Sequence, residues 1–285
     1  MDYAIYIVTL VAIYSITALG YELSIGYAGL LNFAQVGLLA VGAYAEAILA
    51  ARGVPFFASL ALATLITAGV GLLIGIPSRR IKNDYYALVT LGFIFVVNAV
   101  ILNWVSVTGG PFGLSGIARP AGFDNPQTFL WLVLMIAIAI GLFVYRIVQS
   151  PFGAALEAVR DDDQVAESLG KPTGKLRVLA VLLSAIIAGI AGGLLAHFIQ
   201  FINAQVFWLD NAVFLLSCVV VGGLASFWGA IGGTVLLYLF LEPLRFLPLP
   251  SGMLGPLRTI IYGTLLLLFI LFKPKGLMGR AQLDQ

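Results

Sequence analysis

The stretch LRVLAVLLSAIIAGIAGGLLAHFIQF, residues 176–201, contains one formally charged side chain, Arg177, in 26 residues. A helix needs about 20 predominantly apolar residues to cross the hydrocarbon core of a bilayer, and this stretch is longer than that. Similar apolar segments occur along the rest of the chain, at about 4–20, 27–51, 56–76, 85–103, 128–148, 211–225, 228–242 and 258–272. The pattern predicts an all-α polytopic membrane protein, a compact bundle of eight or nine transmembrane helices.

The composition of the 285-residue chain agrees with a membrane protein. Hydrophobic residues make up 61% of it and charged residues 10%, whereas about 25% of the residues of a soluble domain are charged. The apolar runs are continuous, which disfavours a transmembrane β-barrel, because barrel strands alternate over about 10 residues. The net charge of +2 indicates no nucleic-acid partner, and the single cysteine, Cys218, excludes an internal disulfide. The start, MDYAIYIVTL, has no basic region and predicts a retained first span instead of a cleaved signal peptide.

Glycines recur at helical spacing in two of the predicted spans. Small residues let helix backbones approach closely in lipid, so these glycines predict a tightly packed bundle. They are Gly69, Gly71 and Gly75 in one span and Gly189, Gly192 and Gly193 in another. The sequence GGLASFWG, residues 222–229, separates the two short segments 211–225 and 228–242. This break either turns a re-entrant pair of helices or kinks one long helix, and both alternatives stay open at this point.

Lysine and arginine are concentrated in certain connections, which predicts the orientation of the bundle. The basic residues that mark the cytoplasmic side are Arg79, Arg80, Lys82, Arg146, Arg160, Lys171, Lys175, Arg177, Lys273, Lys275 and Arg280. The Gly/Pro-rich connection 104–127 contains only Arg119 and is predicted to be extracytoplasmic. The N-terminus is therefore predicted outside and the C-terminus in the cytoplasm.

The predicted cytoplasmic segment 150–172, SPFGAALEAVRDDDQVAESLGKP, has well-defined helix ends. Ser150 is a good N-cap and Pro151 suits the first helical position, while Gly170 suits the left-handed position that ends a helix. Asp161, followed by Gln164, resembles a capping box. The segment is therefore open to being two short helices that meet near residues 160–161.

The segment 150–172 is amphipathic but acidic on its polar face. Helices that lie on a membrane surface are usually rich in Lys and Arg, which bind anionic lipid. Here Asp161, Asp162 and Asp163 follow one another. An acidic amphipathic helix is better suited to docking into a groove on a cytoplasmic protein. A solvated connector between the fifth and sixth spans is the alternative.

Four stretches, taken in order, resemble the permease subunits of ABC importers of the branched-chain amino-acid (leucine/isoleucine/valine) type. They are GYAGLLNFAQVGLLAVGAYAEAIL at 26–49, YYALVTLGFIFVVNAVILNWVSVTGGPFGLSGI at 85–117, the segment 150–172, and VVVGGLASFWGAIGGTVLL at 219–237. The loop TGGPFGLSGI is similar to the M-type subunit of the permease heterodimer. Gln35, in LNFAQ, departs from this type, which often has a histidine there, so urea, short amides and other neutral amino acids stay open as substrates.

The resemblance implies a single permease domain, residues 1–285, in a prokaryotic plasma membrane, and a set of partners. These are a homologous second permease, two ATP-binding subunits that bind ATP and Mg²⁺, and an extracytoplasmic substrate-binding protein; no cofactor is expected in this chain. The residues expected to couple to the ATP-binding subunits are Phe152, Leu156, Glu157, Ala158, Val159, Arg160, Ala166, Leu169 and Gly170.

Polar residues inside predicted spans are candidates for the translocation path, because they are costly in hydrocarbon. The candidates are Asn32, Gln35, Asn98 and His197. Asn32 and Gln35 are predicted to share one helical face. For each of the four, an interhelical hydrogen bond is the alternative role. Glu46 is expected near the outer interface. In the outer loop, Gly109, Gly110, Pro111 and Gly113 are candidates for a gate or a landing surface, with a passive turn as the alternative.

The sequence contains no motif that indicates catalysis in this chain. No GxxxxGK[ST] phosphate loop, no HExxH and no Cys/His cluster is present, so neither ATP hydrolysis nor a metal site is expected here. Two other classes of membrane protein are the alternatives to a permease subunit. A secondary transporter or channel predicts paired intramembrane ions and an inverted repeat. A membrane enzyme of lipid metabolism predicts a catalytic constellation near the interface.

Overall fold

The computed structural model describes residues 2–81, 83–242, 251–273 and 275–279. The helices are α1 (Asp2–Glu22), α2 (Ala34–Ala51), α3 (Phe56–Gly75), α4 (Asn83–Asn103), α5 (Val105–Thr108), α6 (Pro126–Val148), α7 (Pro151–Asp161), α8 (Asp163–Ser168), α9 (Thr173–Ile199), α10 (Leu209–Gly222), α11 (Phe227–Leu241) and α12 (Ser251–Phe272). A π-helical turn, Leu23–Tyr27, follows α1, and 3₁₀ turns lie at Ile76–Arg79, Gly110–Phe112 and Ala204–Phe207. Lys82 and Arg280, which contribute to the predicted orientation, lie outside the described residues.

The prediction of an all-α polytopic membrane protein is confirmed. Seven helices are long and apolar enough to cross a membrane: α1, α2, α3, α4, α6, α9 and α10, some of them extended by adjoining turns. Helix α11 is shorter and equally apolar, and α12 has 22 residues. Each of the nine predicted segments thus corresponds to a helix, because an apolar run can satisfy its backbone in lipid only by forming one.

Helices α2 and α9 cross at the centre of the bundle through glycines. A Cβ atom on Gly42 would lie 2.6 Å from Gly189 Cα, and a Cβ atom on Gly192 would overlap the Leu39 carbonyl. Gly71 of α3 touches the Ala185 side chain in the same way. The predicted glycine packing therefore holds for these positions, whereas Gly69 has no neighbour within 4 Å among the described residues.

Helices α10 and α11 form an antiparallel hairpin. Of the two alternatives for residues 222–229, a turn between paired helices and a kink in one long helix, the kink is therefore wrong. The rings of Phe214 and Tyr238 lie 5.0 Å apart, and both contact Tyr14 of α1. At one end of α11, the Ser226 amide donates to Glu22; at the other end, the Tyr3 hydroxyl bonds Glu242. The hairpin therefore runs along nearly all of α1.

The segment 150–172 contains two helices, α7 and α8. Ser150 Oγ accepts from the Phe152 amide at 3.2 Å, as predicted for the N-cap. The capping box at Asp161 is wrong, because Asp162 is the cap of α8 and accepts from the Gln164 and Val165 amides, both at 2.9 Å. Asp161 is instead the last residue of α7 and pairs with Arg160.

The outer loop 104–127 is anchored to the end of α9. A two-residue strand β1 (Leu114–Ser115) pairs antiparallel with β2 (Phe201–Ile202). The Ile117 amide extends the contact by donating to the Gln200 carbonyl at 3.4 Å. The sequence analysis did not predict this pairing, which closes the outer end of the bundle.

Candidate functional site

Gln35, a predicted path residue, hydrogen bonds across three helices. Its Oε1 accepts from Ser184 Oγ of α9 at 2.6 Å, and its Nε2 donates to the Thr17 carbonyl of α1 at 3.3 Å. The side chain is buried, and both ends of its amide are used. The geometry therefore supports the alternative role, an interhelical hydrogen bond that holds α1, α2 and α9 together.

The two asparagines are buried but only partly satisfied. Asn98 Nδ2 donates to the Phe207 carbonyl at 3.1 Å, which joins α4 to the turn before α10. Asn32 Oδ1 accepts from the Ala34 amide at 3.0 Å, so Asn32 precedes α2 and bonds its first residue. The prediction that Asn32 and Gln35 share a helical face is therefore wrong. Asn32 Nδ2 and Asn98 Oδ1 have no hydrogen-bond partner within the described ranges, and retain bonding capacity.

His197 belongs to a buried polar cluster that the sequence analysis did not foresee. Its Nδ1–H donates to the Ala118 carbonyl at 2.6 Å, since a carbonyl can only accept, and its Nε2 lies 2.9 Å from Glu46 Oε1. Ser59 Oγ also donates to Glu46 Oε1, at 2.6 Å. Glu46 is fully buried beside His197, and its place near the outer interface stays a prediction.

We expect His197→Ala to lower the free energy of unfolding by about 3 kcal/mol or more, because it leaves a buried carboxyl group without its main partner. Thermal unfolding of the purified chain in detergent measures the change. Asn103→Ala is the matched control, since Asn103 is exposed and bonds only the Ala99 carbonyl of its own helix. Equal melting temperatures for the two variants would contradict the structural role of the pair.

A cavity of about 500 Å³ lies beside His197 at the predicted outer end. It is lined by the α2–α3 connection and by residues 114–121 of the outer loop. The predicted gate glycines lie next to it and shape the loop: Gly109, Gly110 and Gly113 all have positive φ, and Gly113 touches the Ile202 carbonyl. Pro111 is exposed at the loop tip. The role of this loop as an outer gate or landing surface stays a prediction.

The predicted coupling residues divide into two groups. Leu156 is 0% exposed, Val159 is 1% exposed and Ala166 is also buried, because α7 and α8 pack their apolar faces on α9, α6 and the π-helical turn. These three side chains are covered by the chain's own bundle, and their contact with an ATP-binding subunit stays a prediction. Ala158 and Gly170 are exposed, and Phe152 and Glu157 are partly exposed. Leu169 is 75% exposed.

The exposed surface of α7 and α8 contains acidic residues and two apolar side chains. Val165, which the sequence analysis missed, is 53% exposed and lies one turn before Leu169. Asp161, Asp162 and Glu167 are exposed around them. Residues 158, 161, 162, 165, 167 and 169 are called the docking strip below. In the sequence, Val165 lies close to several acidic residues and outside the periodic apolar positions of the segment. That position is the signal that could have identified it as exposed.

Two arginines hold α7 and α8 on the bundle. Arg160 Nη1 donates to the Gly26 carbonyl of the π-helical turn at 2.9 Å, while its Nε and Nη2 bind Asp161. Arg177 of α9 forms an ion pair of 3.0 Å with Asp163 of α8. Arg160 therefore points into the bundle and not towards a partner. Among the described residues, no three His, Cys, Asp or Glu side chains are placed to hold a metal ion.

A family model described as the branched-chain amino acid transport system / permease component matches residues 3–270. The chain belongs to this family. Its relatives include the high-affinity branched-chain amino acid transport system permease protein LivM of Salmonella typhimurium, 34% identical over 97% of this chain and 71% of the relative. LivM of Escherichia coli K12 is 33% identical over the same shares.

LivH of Escherichia coli K12 is 25% identical over 98% of this chain and 95% of the relative. The identity to the LivM proteins is higher, which confirms the resemblance to the M-type subunit. No solved structure matches the chain. The permease family and the nine apolar helices make the chain a multi-pass membrane permease related to amino-acid transport proteins.

Proposed function

We propose that this permease is one membrane subunit of an ATP-driven importer that carries branched-chain or related small neutral amino acids into the cytoplasm. A homologous second permease, two ATP-binding subunits that hold ATP and Mg²⁺, and an extracytoplasmic binding protein complete the assembly. The C-terminus is cytoplasmic, and the membrane is a prokaryotic plasma membrane. Urea or short amides are the alternative substrates, and an ATP-independent transporter or channel is the alternative class.

The docking strip is the observation that carries this proposal. A connector that only joined α6 to α9 would gain nothing from two capped helices held by Arg160 and Arg177. The strip presents carboxylates around two apolar side chains, which is the complement of an apolar groove with basic edges. An ATP-binding subunit with such a groove would bind to the strip and move α7 and α8 as one unit.

The translocation path is inferred to lie between two permeases. Gln35 and His197 are satisfied by neighbouring helices, and the cavity beside His197 is confined to the predicted outer end. A small zwitterion needs neutral hydrogen-bonding groups along its whole route. The remaining capacity of Asn32 and Asn98 is too little for this, so the second subunit supplies the other wall.

We expect single cysteines at Val165 and Leu169 to crosslink to an ATP-binding subunit, whereas a cysteine at Leu156 does not. The reason is that the first two side chains are exposed and the third is covered by the chain's own bundle. The natural Cys218 is buried and is replaced by alanine in all variants. Mass spectrometry of crosslinked native membranes identifies the neighbour.

Uptake by reconstituted vesicles separates the rival classes. Uptake of a branched-chain amino acid should require ATP inside the compartment that corresponds to the cytoplasm and should persist when ion gradients are collapsed. Uptake that survives the removal of ATP, together with crosslinks at Val165 to lipid alone, would reject the importer. Urea and a short amide as competitors test the substrate.

A further inference from the structure

Glu22 is a buried carboxylate to which the sequence analysis assigned no role. It is the last residue of α1 and is fully buried. Ionisable groups within membrane spans are rare and mark functional positions by default. Glu22 Oε1 accepts from the Ser226 amide at 3.2 Å, and the Ala225 amide also bonds the carboxylate. Glu22 therefore holds the turn 223–226 that joins α10 to α11.

The turn 223–226 is shaped around this carboxylate. Ala225 has a φ of +57°, which is disfavoured for a residue with a Cβ atom, and Gly223 has a φ of +108°. Because Ala225 has a left-handed conformation, the backbone amides of Ala225 and Ser226 point towards the same side of the turn. Successive amides in this arrangement bind anions. Glu22 also faces the N-terminus of α11, where the helix dipole favours a negative charge.

On its other side, Glu22 is connected to the cytoplasmic helix α7. Gly26 packs against the Glu22 carboxylate, and a Cβ atom there would lie 2.8 Å from the Ala225 nitrogen. The Gly26 carbonyl is the group that Arg160 Nη1 binds at 2.9 Å. A Cβ atom on Gly29 would lie 2.7 Å from Arg160 Cγ, so the arginine is enclosed by the α1–α2 connection.

The turn 223–226 also anchors the segment that follows α12. The Leu277 amide donates to the Val221 carbonyl and the Met278 amide donates to the Gly222 carbonyl, both at 2.9 Å. Contacts thus run without interruption from Arg160 through Gly26 and Glu22 to the hairpin and onward to residues 275–279.

We propose that Glu22 is a positioning residue that transmits the displacement of α7 to the α10–α11 hairpin. The inference rests on the proposed function, in which ATP-binding subunits move α7. Arg160 draws the Gly26 carbonyl with it, and Glu22 moves the turn amides, so the hairpin tilts together with the end of α1. Glu22 Oε2 has no hydrogen-bond partner in the described part of the chain, and is available to receive the amides in a second arrangement.

The test is Glu22→Gln in the complete reconstituted complex, with amino acid imported per ATP hydrolysed as the readout. Glutamine retains the volume but replaces one of the two carboxyl oxygens with an NH2 group, which cannot accept a hydrogen bond from the turn amides. We expect the ratio to fall about tenfold while basal ATP hydrolysis and subunit assembly stay unchanged. A purely structural role would reduce the amount of complex and leave the ratio in the surviving complex unaltered. Glu22→Asp, which keeps the carboxyl group, should restore part of the ratio.

Glu46→Gln is the matched control, because Glu46 is also fully buried, and its hydrogen bonds within the described residues are with His197 and Ser59. It should lower the melting temperature without changing the ratio. Arg160→Gln tests the other end of the connection. It can replace Glu22→Gln in the experiment if the complex with Glu22→Gln does not assemble. If Arg160 and Glu22 act in series, the double variant Arg160→Gln/Glu22→Gln loses no more than the worse single variant.

A normal ratio for Glu22→Gln, or additive losses in the double variant, would overturn the inference while leaving the importer intact. Different results would contradict the proposed function itself. It fails when the wild-type chain copurifies with no ATP-binding subunit or transports without ATP. The wild-type measurement therefore precedes the variants.

Discussion

Replacing Gly192 with leucine is expected to abolish the folded protein, since Gly192 lies where α2 and α9 meet backbone to backbone. A Cβ atom there would overlap the Leu39 carbonyl and lie 2.8 Å from the Ala43 nitrogen. Overpacking usually costs about 1–3 kcal/mol when side chains can shift, and more when they cannot. Backbone atoms cannot move aside, so the two central helices must separate. They would also lose the hydrogen bond from Ser184 to Gln35.

The amount of monodisperse protein extracted from membranes in mild detergent measures this effect. Gly69→Leu is the matched control, because a Cβ atom on Gly69 would have no neighbour within 4 Å inside the described chain. We expect Gly69→Leu to yield nearly wild-type amounts and Gly192→Leu to yield aggregate or none. Equal yields would show that the central crossing is not as close as the geometry requires.

Leu156→Asp is expected to abolish uptake while the protein stays in the membrane. Leu156 is fully buried between α7 and the bundle, and a carboxylate there costs several kcal/mol unless α7 lifts away. Arg160 would then lose the Gly26 carbonyl. The spans themselves do not depend on α7, so insertion should be unaffected. Amino-acid uptake by vesicles and the level of membrane-inserted protein are the two measurements.

Leu169→Asp separates the internal role of Leu156 from docking. Leu169 is exposed, so the substitution should not disturb the fold, but it adds a charge to the docking strip. We expect copurification of the ATP-binding subunits to weaken with Leu169→Asp and to persist, at least in part, with Leu156→Asp. The opposite result would mean that the buried face of α7 is the one that docks.

The helices and their ends could be predicted because they depend on short stretches of chain. Each span must satisfy its own backbone in lipid, so the nine apolar runs correspond to nine helices. Ser150, Pro151 and Gly170 act on neighbouring backbone groups and take the predicted positions around α7 and α8. The assignment of Asp161 as the second cap was wrong by one residue, since both Asp161 and Asp162 have the chemistry of a cap and the next turn decides between them.

The roles of individual polar residues could not be predicted in the same way. Asn32, Gln35 and His197 have partners that are distant in sequence or depend on where α2 begins. Glu22 and Ser59 gave no signal, because their contacts with Ser226 and Glu46 exist only after helices have packed. The burial of Leu156 and Val159 could not be predicted for a related reason. An amphipathic helix shows which face is apolar, but not whether a partner or its own bundle covers that face.

By itself, the sequence determined that this chain is an all-α polytopic membrane protein, that it has an acidic capped segment, and that it resembles branched-chain amino-acid permeases. Composition and local hydrogen bonding suffice for those conclusions. Only the tertiary structure decided that 222–229 turns a hairpin, that Leu156 faces inwards and that Glu22 meets Ser226. The physical reason is that most spans are apolar on all sides, so their sequences carry little information about which face is buried. Close approach of glycines and paired polar groups selects the faces, and both require the partner helix to be in place.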